Sequence, residues 1–234
     1  MELVIRFRAA VALVDRFPVL AGVDLDVARG ETVLLTGANG AGKTSLLRAV
    51  AGLLRVNSGT AEVLGVDLVA NPRGARRRVG LVGHSSGLYD DLSVEDNVVF
   101  ALRAAGCAAS EAGPALERVG LVGRLRSSRV SALSAGQRRR AALAILVARR
   151  PELWLLDEPH AGLDAANRDL LDVLVHEQVR SGGTVVLASH ETDRAPGLAD
   201  RILVVAGGTV VNQVATAEAP ASPRSTEALV GHVA

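Results

Sequence analysis

Apolar residues fall in short blocks along this chain, and their spacing predicts most of its elements. Residues 3–35 alternate short apolar runs with polar turns, which predicts antiparallel strands. Glu31-Thr32-Val33-Leu34-Leu35-Thr36 reads as a buried strand, and Ser45–Leu54 as a helix with one apolar face. Strand-like pieces continue over 59–83 and end in Val79-Gly80-Leu81-Val82-Gly83. From Ser93 to Arg150 the pattern is helical, opening on a capping-box-like Ser93-Val94-Glu95-Asp96, with breaks expected at Pro114, Gly120 and Gly123. Two strongly apolar strands follow, Leu153–Asp157 and Thr184–Ser189, separated by a helix around Asn167–Arg180. That order is a βαβ crossover and implies a parallel sheet. The expectation is one α/β domain over residues 1–214, with a helical insertion near 86–150 and a disordered Ala/Pro/Ser/Thr-rich tail over 215–234.

The strand at 31–36 and the helix after it flank Gly37-Ala38-Asn39-Gly40-Ala41-Gly42-Lys43-Thr44, which fits the phosphate-binding pattern G-x-x-x-x-G-K-[ST]. Lys43 is the sole lysine among 26 basic residues. A compact ammonium on a thin stem reaches the β- and γ-phosphates inside a backbone cradle, where a planar guanidinium is too wide. The glycines let the loop curl so that N–H groups point inward, and the helix beginning near Thr44 and Ser45 adds the positive end of its dipole. Thr44 offers a hydroxyl to Mg²⁺.

Four more groups carry chemistry. Asp157 and Glu158 end an apolar strand, at the edge where open α/β sheets gather active groups. Asp157 suits a place in the Mg²⁺ shell, and Glu158, one step further, suits accepting a proton from an attacking water. Leu133-Ser134-Ala135-Gly136-Gln137 leads into a helix and reads both as an anion site and as a helix cap, with Ser134 and Gln137 at capping-box spacing. His190 follows the strand 184–189, within reach of a γ-phosphate and of Glu158. Ala161-Gly162-Leu163-Asp164 is a turn close behind Glu158.

Composition narrows the setting. A net charge of +1 gives no electrostatic case for a nucleic-acid partner. The clusters Arg76–Arg78 and Arg138–Arg140 are short enough to be solvated helix faces or local phosphate or interface contacts. The single Cys107 permits no intrachain disulfide and reads as a small apolar residue on a helix. Mean hydropathy is +0.28, yet no run of about 18 apolar residues exists and the N-terminus lacks a signal pattern, so a cytoplasmic chain is expected.

Together, in this order, these pieces resemble the ATP-binding-cassette (ABC) ATPases: the P-loop 37–44, the signature Leu133–Gln137, the Walker B strand 153–157 with Glu158, the D-loop 161–164 ending in Asp164, and the H-loop His190. The resemblance implies a P-loop α/β core with an antiparallel β edge and an inserted α-helical subdomain. It implies hydrolysis of ATP with Mg²⁺ held by Thr44 and Asp157, and catalysis by Glu158 and His190. Two cassettes, as a homodimer or pseudo-dimer, would sandwich two ATPs, with Ser134 and Gly136 of one facing the γ-phosphate at Lys43 of the other. Transmembrane permease subunits are implied as partners, with the chain peripheral on the cytoplasmic face of the cell membrane. An aromatic stacks on adenine in this family, with Phe17 the candidate and Phe7 its competitor. The position of the family's Q-loop glutamine holds His84. Gly80–Leu88 with Leu92–Asn97, LSAGQRR at 133–139 and LWLLDEP at 153–159 look like the CcmA-type branch, which serves haem export in cytochrome c maturation. An exporter of a drug, lipid or peptide is the alternative, and a non-transport regulatory ATPase a remote one. A GTPase is excluded, since its N-K-x-D motif needs a second lysine. Too few residues lie between Thr44 and Leu133 for the coiled-coil arm of a chromosome ATPase.

Overall fold

The computed structural model describes residues 2–83, 86–190 and 194–215. Two long strands, β1 (Leu3–Val14) and β2 (Phe17–Ala28), pair as an antiparallel hairpin. With β4 (Ser58–Val63) and β5 (Val66–Asp67) they form a four-stranded sheet of its own, in the order β2-β1-β4-β5. The antiparallel part is thus a second sheet, and its first strands are longer than the alternation suggested, because bulges in β1 keep one hairpin running where the pattern slips.

The second sheet has six strands: β3 (Thr32–Thr36), β6 (Val79–Val82), β7 (Leu153–Asp157), β8 (Thr184–Ala188), β9 (Arg201–Ala206) and β10 (Thr209–Ala215). The order is β10-β9-β3-β8-β7-β6, parallel throughout except for β10. Its central strands are buried on both faces, and alternate residues enter different cores. Val33, Leu35, Leu153, Leu155 and Val186 pack with the antiparallel sheet and with α1 (Lys43–Val50). Leu34, Trp154, Leu156, Val185 and Leu187 face the other way, toward the helices.

Those helices are α2 (Val94–Ala105), α3 (Ala112–Arg118), α4 (Arg124–Ser127) and α5 (Ala135–Arg149), with the crossover helix α6 (Ala165–Arg180) between β7 and β8. The Oγ of Ser93 accepts from the Asp96 N–H at 3.0 Å, capping α2 as its sequence proposed. Pro114 does not break a helix. It lies in the first turn of α3, where its missing N–H is not needed. Gly120 and Gly123, both at positive φ, do separate α3 from α4. Cys107 follows the C-cap Gly106 of α2 instead of lying on the helix. No helix of the described residues is long and apolar enough to cross a membrane. The tail from residue 216 lies outside the described residues, and β10 reaches Ala215.

Candidate active site

Parallel pairing brings the chemistry to one edge. The register sets Asp157 of β7 beside Ala188 of β8, and Ala188 beside Leu35 of β3. The residues that leave these strands next are Glu158, Ser189 with His190, and the P-loop, so three distant segments emerge together.

The P-loop connects β3 to α1. Gly37 has φ 138°, and a Cβ there would lie 2.1 Å from the Val205 carbonyl oxygen, so only glycine fits. Gly42, at φ 111°, is the N-cap of α1. Lys43 is buried, and its ammonium donates to the carbonyls of Gly37 at 2.7 Å and Ala38 at 3.2 Å. A cavity of about 520 Å³ is lined by Asn39 through Ser45, Asp157, Glu158, Pro18, Val19, and Gly207-Gly208 of the β9–β10 turn. The glycine pair and Pro18-Val19 had no functional reading in the sequence.

Thr44 Oγ1 donates to Asp157 Oδ2 at 2.7 Å. These hard oxygens suit Mg²⁺, which typically takes one or two protein oxygens and completes its shell with substrate phosphates and water. The described residues hold no cluster of three His, Cys, Asp or Glu side chains able to bind a metal.

Glu158 adopts φ 47°, a left-handed conformation uncommon for a side-chain-bearing residue. Its N–H donates to the Ala188 carbonyl at 2.8 Å. One carboxylate oxygen, Oε1, is 2.8 Å from His190 Nδ1, while Oε2 accepts from the Ser189 hydroxyl at 3.3 Å and the His190 N–H at 3.4 Å. The carboxylate is thereby held at the cavity wall while the imidazole stays largely exposed, at 64%.

Ser134 caps α5 in a reciprocal capping box, with Ser134 N–H donating to Gln137 Oε1 at 2.9 Å and Gln137 N–H to Ser134 Oγ at 3.2 Å. Ser134 and Ala135 are exposed. Gly136 stands where a Cβ would be 2.9 Å from the Gly162 carbonyl oxygen, so the signature and the D-loop pack closely. Asp164 caps α6, accepting from the Asn167 N–H at 2.9 Å. Ala135 lines a different cavity from the P-loop, one of about 620 Å³ shared with Gly83, Ser86–Leu88, Asp90 and Arg139. One chain therefore does not bring its signature to its own phosphate loop.

Phe7 is fully buried in the core beneath β1, which removes it as an adenine-stacking residue. Phe17 is 74% exposed, next in sequence to Pro18 of the cavity wall. His84 lies outside the described residues.

Two contributors escaped the sequence reading. His160 is buried, with Nε2 2.8 Å from Asp172 Oδ1, and Asp172 Oδ2 accepts from Arg194 Nε at 2.6 Å. Arg139, read as part of a solvated or contact-making arginine run, is only 9% exposed and donates to the carbonyls of Asp157 and Gly83, each at 3.1 Å. Burial pushes its guanidinium below the ordinary arginine range, against the opposing pull of Asp157 and Glu158. Helical spacing carried the signal: Arg139 shares a stripe with Ala142, Leu143 and Leu146, all buried.

The ABC transporter family model matches residues 20–161. The chain is 42% identical over 186 residues to a Bordetella bronchiseptica protein named cytochrome c biogenesis ATP-binding export protein CcmA, covering 78% of this chain and 82% of that one. It is also 42% identical over 197 residues to a Streptomyces avermitilis Fe(3+) ions import ATP-binding protein, FbpC, covering 82% of this chain and 56% of the relative. Among solved structures, the dimeric post-hydrolysis state of the ATP-binding cassette MJ0796 with ADP and Pi superposes with a TM-score of 0.82 at 23% identity, covering 90% of this chain and 98% of that one.

Proposed function

The chain belongs to the ABC transporter family as an ATP-binding, ATP-hydrolysing cassette, and on that premise we propose that it is the cytoplasmic motor subunit of a haem-export machine of cytochrome c maturation. The observation that carries the ATPase chemistry is the meeting of Lys43, the Thr44–Asp157 pair and the Glu158–His190 pair around one cavity.

The loop N–H groups and Lys43 bind the phosphates of ATP. Thr44 and Asp157 would hold Mg²⁺, which when bound supplies positive charge against the β- and γ-phosphate oxygens. Glu158, fixed by His190 and Ser189, orients water and takes its proton, while His190 steadies the γ-phosphate. Catalysis is then mainly positioning and charge stabilisation. Phe17 stacks on adenine. Because the signature lines another cavity, Ser134 and Gly136 complete the site of a second copy, and two cassettes close on two nucleotides. Permease subunits dock near the His84–Asp91 stretch, and the assembly places the chain at the membrane's inner face.

The export reading is supported by relatives such as the Bordetella protein and by the GHSSG…LSVEDN, LSAGQRR and LWLLDEP stretches. A second reading, a cassette serving another cargo, is favoured by the equal identity to the iron-import protein. Affinity capture of Glu158→Gln protein with ATP and Mg²⁺ from its native membrane, followed by mass spectrometry, separates them. Recovery of cytochrome c maturation membrane subunits supports haem export. An unrelated permease overturns it and leaves the ATPase intact.

A further inference from the structure

We infer that Arg139 is a positioning residue for hydrolysis: it holds the peptide that joins Asp157 to Glu158, and so sets where the Glu158 carboxylate stands. This rests on the ATPase reading of the site. That peptide is gripped from both ends. Its carbonyl, on Asp157, accepts from Arg139 Nη1 at 3.1 Å, and its N–H, on Glu158, donates to Ala188 at 2.8 Å. Glu158, whose N–Cα bond follows directly on this peptide, has φ 47°. A left-handed residue with a side chain is strained and persists only where the surroundings over-determine it. The two hydrogen bonds are that determination, and Arg139 makes one of them.

The anchor is tied to two other elements. The same Arg139 nitrogen donates to the Gly83 carbonyl at the end of β6, and Arg139 belongs to the helix that Ser134 caps. A shift of α5 relative to the sheet therefore pulls on the Asp157–Glu158 peptide. The cation also sits near two consecutive acids, whose mutual repulsion it offsets. A neutral apolar residue would pack in its place but would leave the Asp157 carbonyl without this partner.

A double-mutant cycle on the full-length chain tests this, reading kcat for ATP hydrolysis, Kd for a fluorescent ATP analogue, and Tm. Arg139→Met should lower kcat by about tenfold to a hundredfold, with Kd changed by no more than about threefold. Arg139→Gln, which keeps an N–H donor, should recover a large part of kcat and guards against a Met variant that fails to fold. In a Glu158→Gln background, either substitution should change residual turnover by less than about twofold, because both act on the same group. Independent, multiplying losses would overturn the proposal, as would a kcat for Arg139→Met near wild type, or a loss of Kd and Tm in step with kcat. Wild-type turnover in Glu158→Gln alone would instead overturn the role of Glu158 in hydrolysis, a distinct result.

Discussion

Thr44 Oγ1 and Asp157 Oδ2 meet at 2.7 Å although 113 positions separate them in the chain. The contact joins the first turn of α1 to the end of β7 and puts a hydroxyl and a carboxylate on one wall of the phosphate cavity. Thr44→Ala should leave the fold intact and raise the Mg²⁺ concentration needed for half-maximal turnover. Titrating ATPase rate against Mg²⁺ at saturating ATP checks it, and an unchanged midpoint removes Thr44 from the metal shell.

Glu158→Gln keeps the size and most hydrogen bonds of the side chain but cannot accept a proton. Turnover should fall by about 10²–10⁴-fold while ATP binding persists. Steady-state hydrolysis with parallel nucleotide binding separates the two effects.

The two phenylalanines should part company. Phe17→Ala, on an exposed side chain, should weaken ATP affinity by about three- to tenfold, the worth of a stacking contact of about 1 kcal/mol, with Tm nearly unchanged. Phe7→Ala empties a fully buried site and should cost about 3–5 kcal/mol of stability, read by urea unfolding. Reversal of the pattern would return Phe7 to the nucleotide.

Asp172 links the Walker B turn to the segment after His190. Its burial works to raise the carboxyl pKa, but hydrogen bonds from His160 and Arg194 outweigh this and hold it below the ordinary value. A carboxyl lowered by folding contributes stability that is complete above its unfolded value, near 3.8, and is lost as pH falls through the lower folded value. Asp172→Asn should therefore lower the unfolding free energy by about 1–3 kcal/mol at neutral pH, and the gap to wild type should narrow in strong acid. Urea midpoints at the two pH values give the answer, and a gap that is constant with pH contradicts it.

Local signals settled the elements that depend on neighbours in sequence. The run of glycines before Lys43, the apolar strands 153–157 and 184–188, and the caps at Ser93 and Ser134 are each fixed by sterics or hydrogen bonds within a few residues. The order of the motifs was enough to name the family, and it made Glu158 and His190 the candidates for catalysis. Where local reading went astray, it lacked either the position within the element or the distant partner. Pro114 looked like a break because a window cannot tell a helix's first turn from its middle, and Arg139 read as part of a solvated or contact-making run because its two carbonyl partners, Asp157 and Gly83, lie far from it in the chain.

The sequence by itself therefore determined which chemical groups are at hand, since a glycine loop with one lysine and a carboxylate just past a strand end follow from residue type and local spacing. Only the tertiary structure decided the rest. It split the strands into two sheets, committed Phe7 to the core and Phe17 to the surface, and set Ala188 beside Asp157 so that Glu158 meets His190. The physical reason is that β-pairing and burial join residues far apart in the chain, and no local preference encodes which distant carbonyl a buried guanidinium will find.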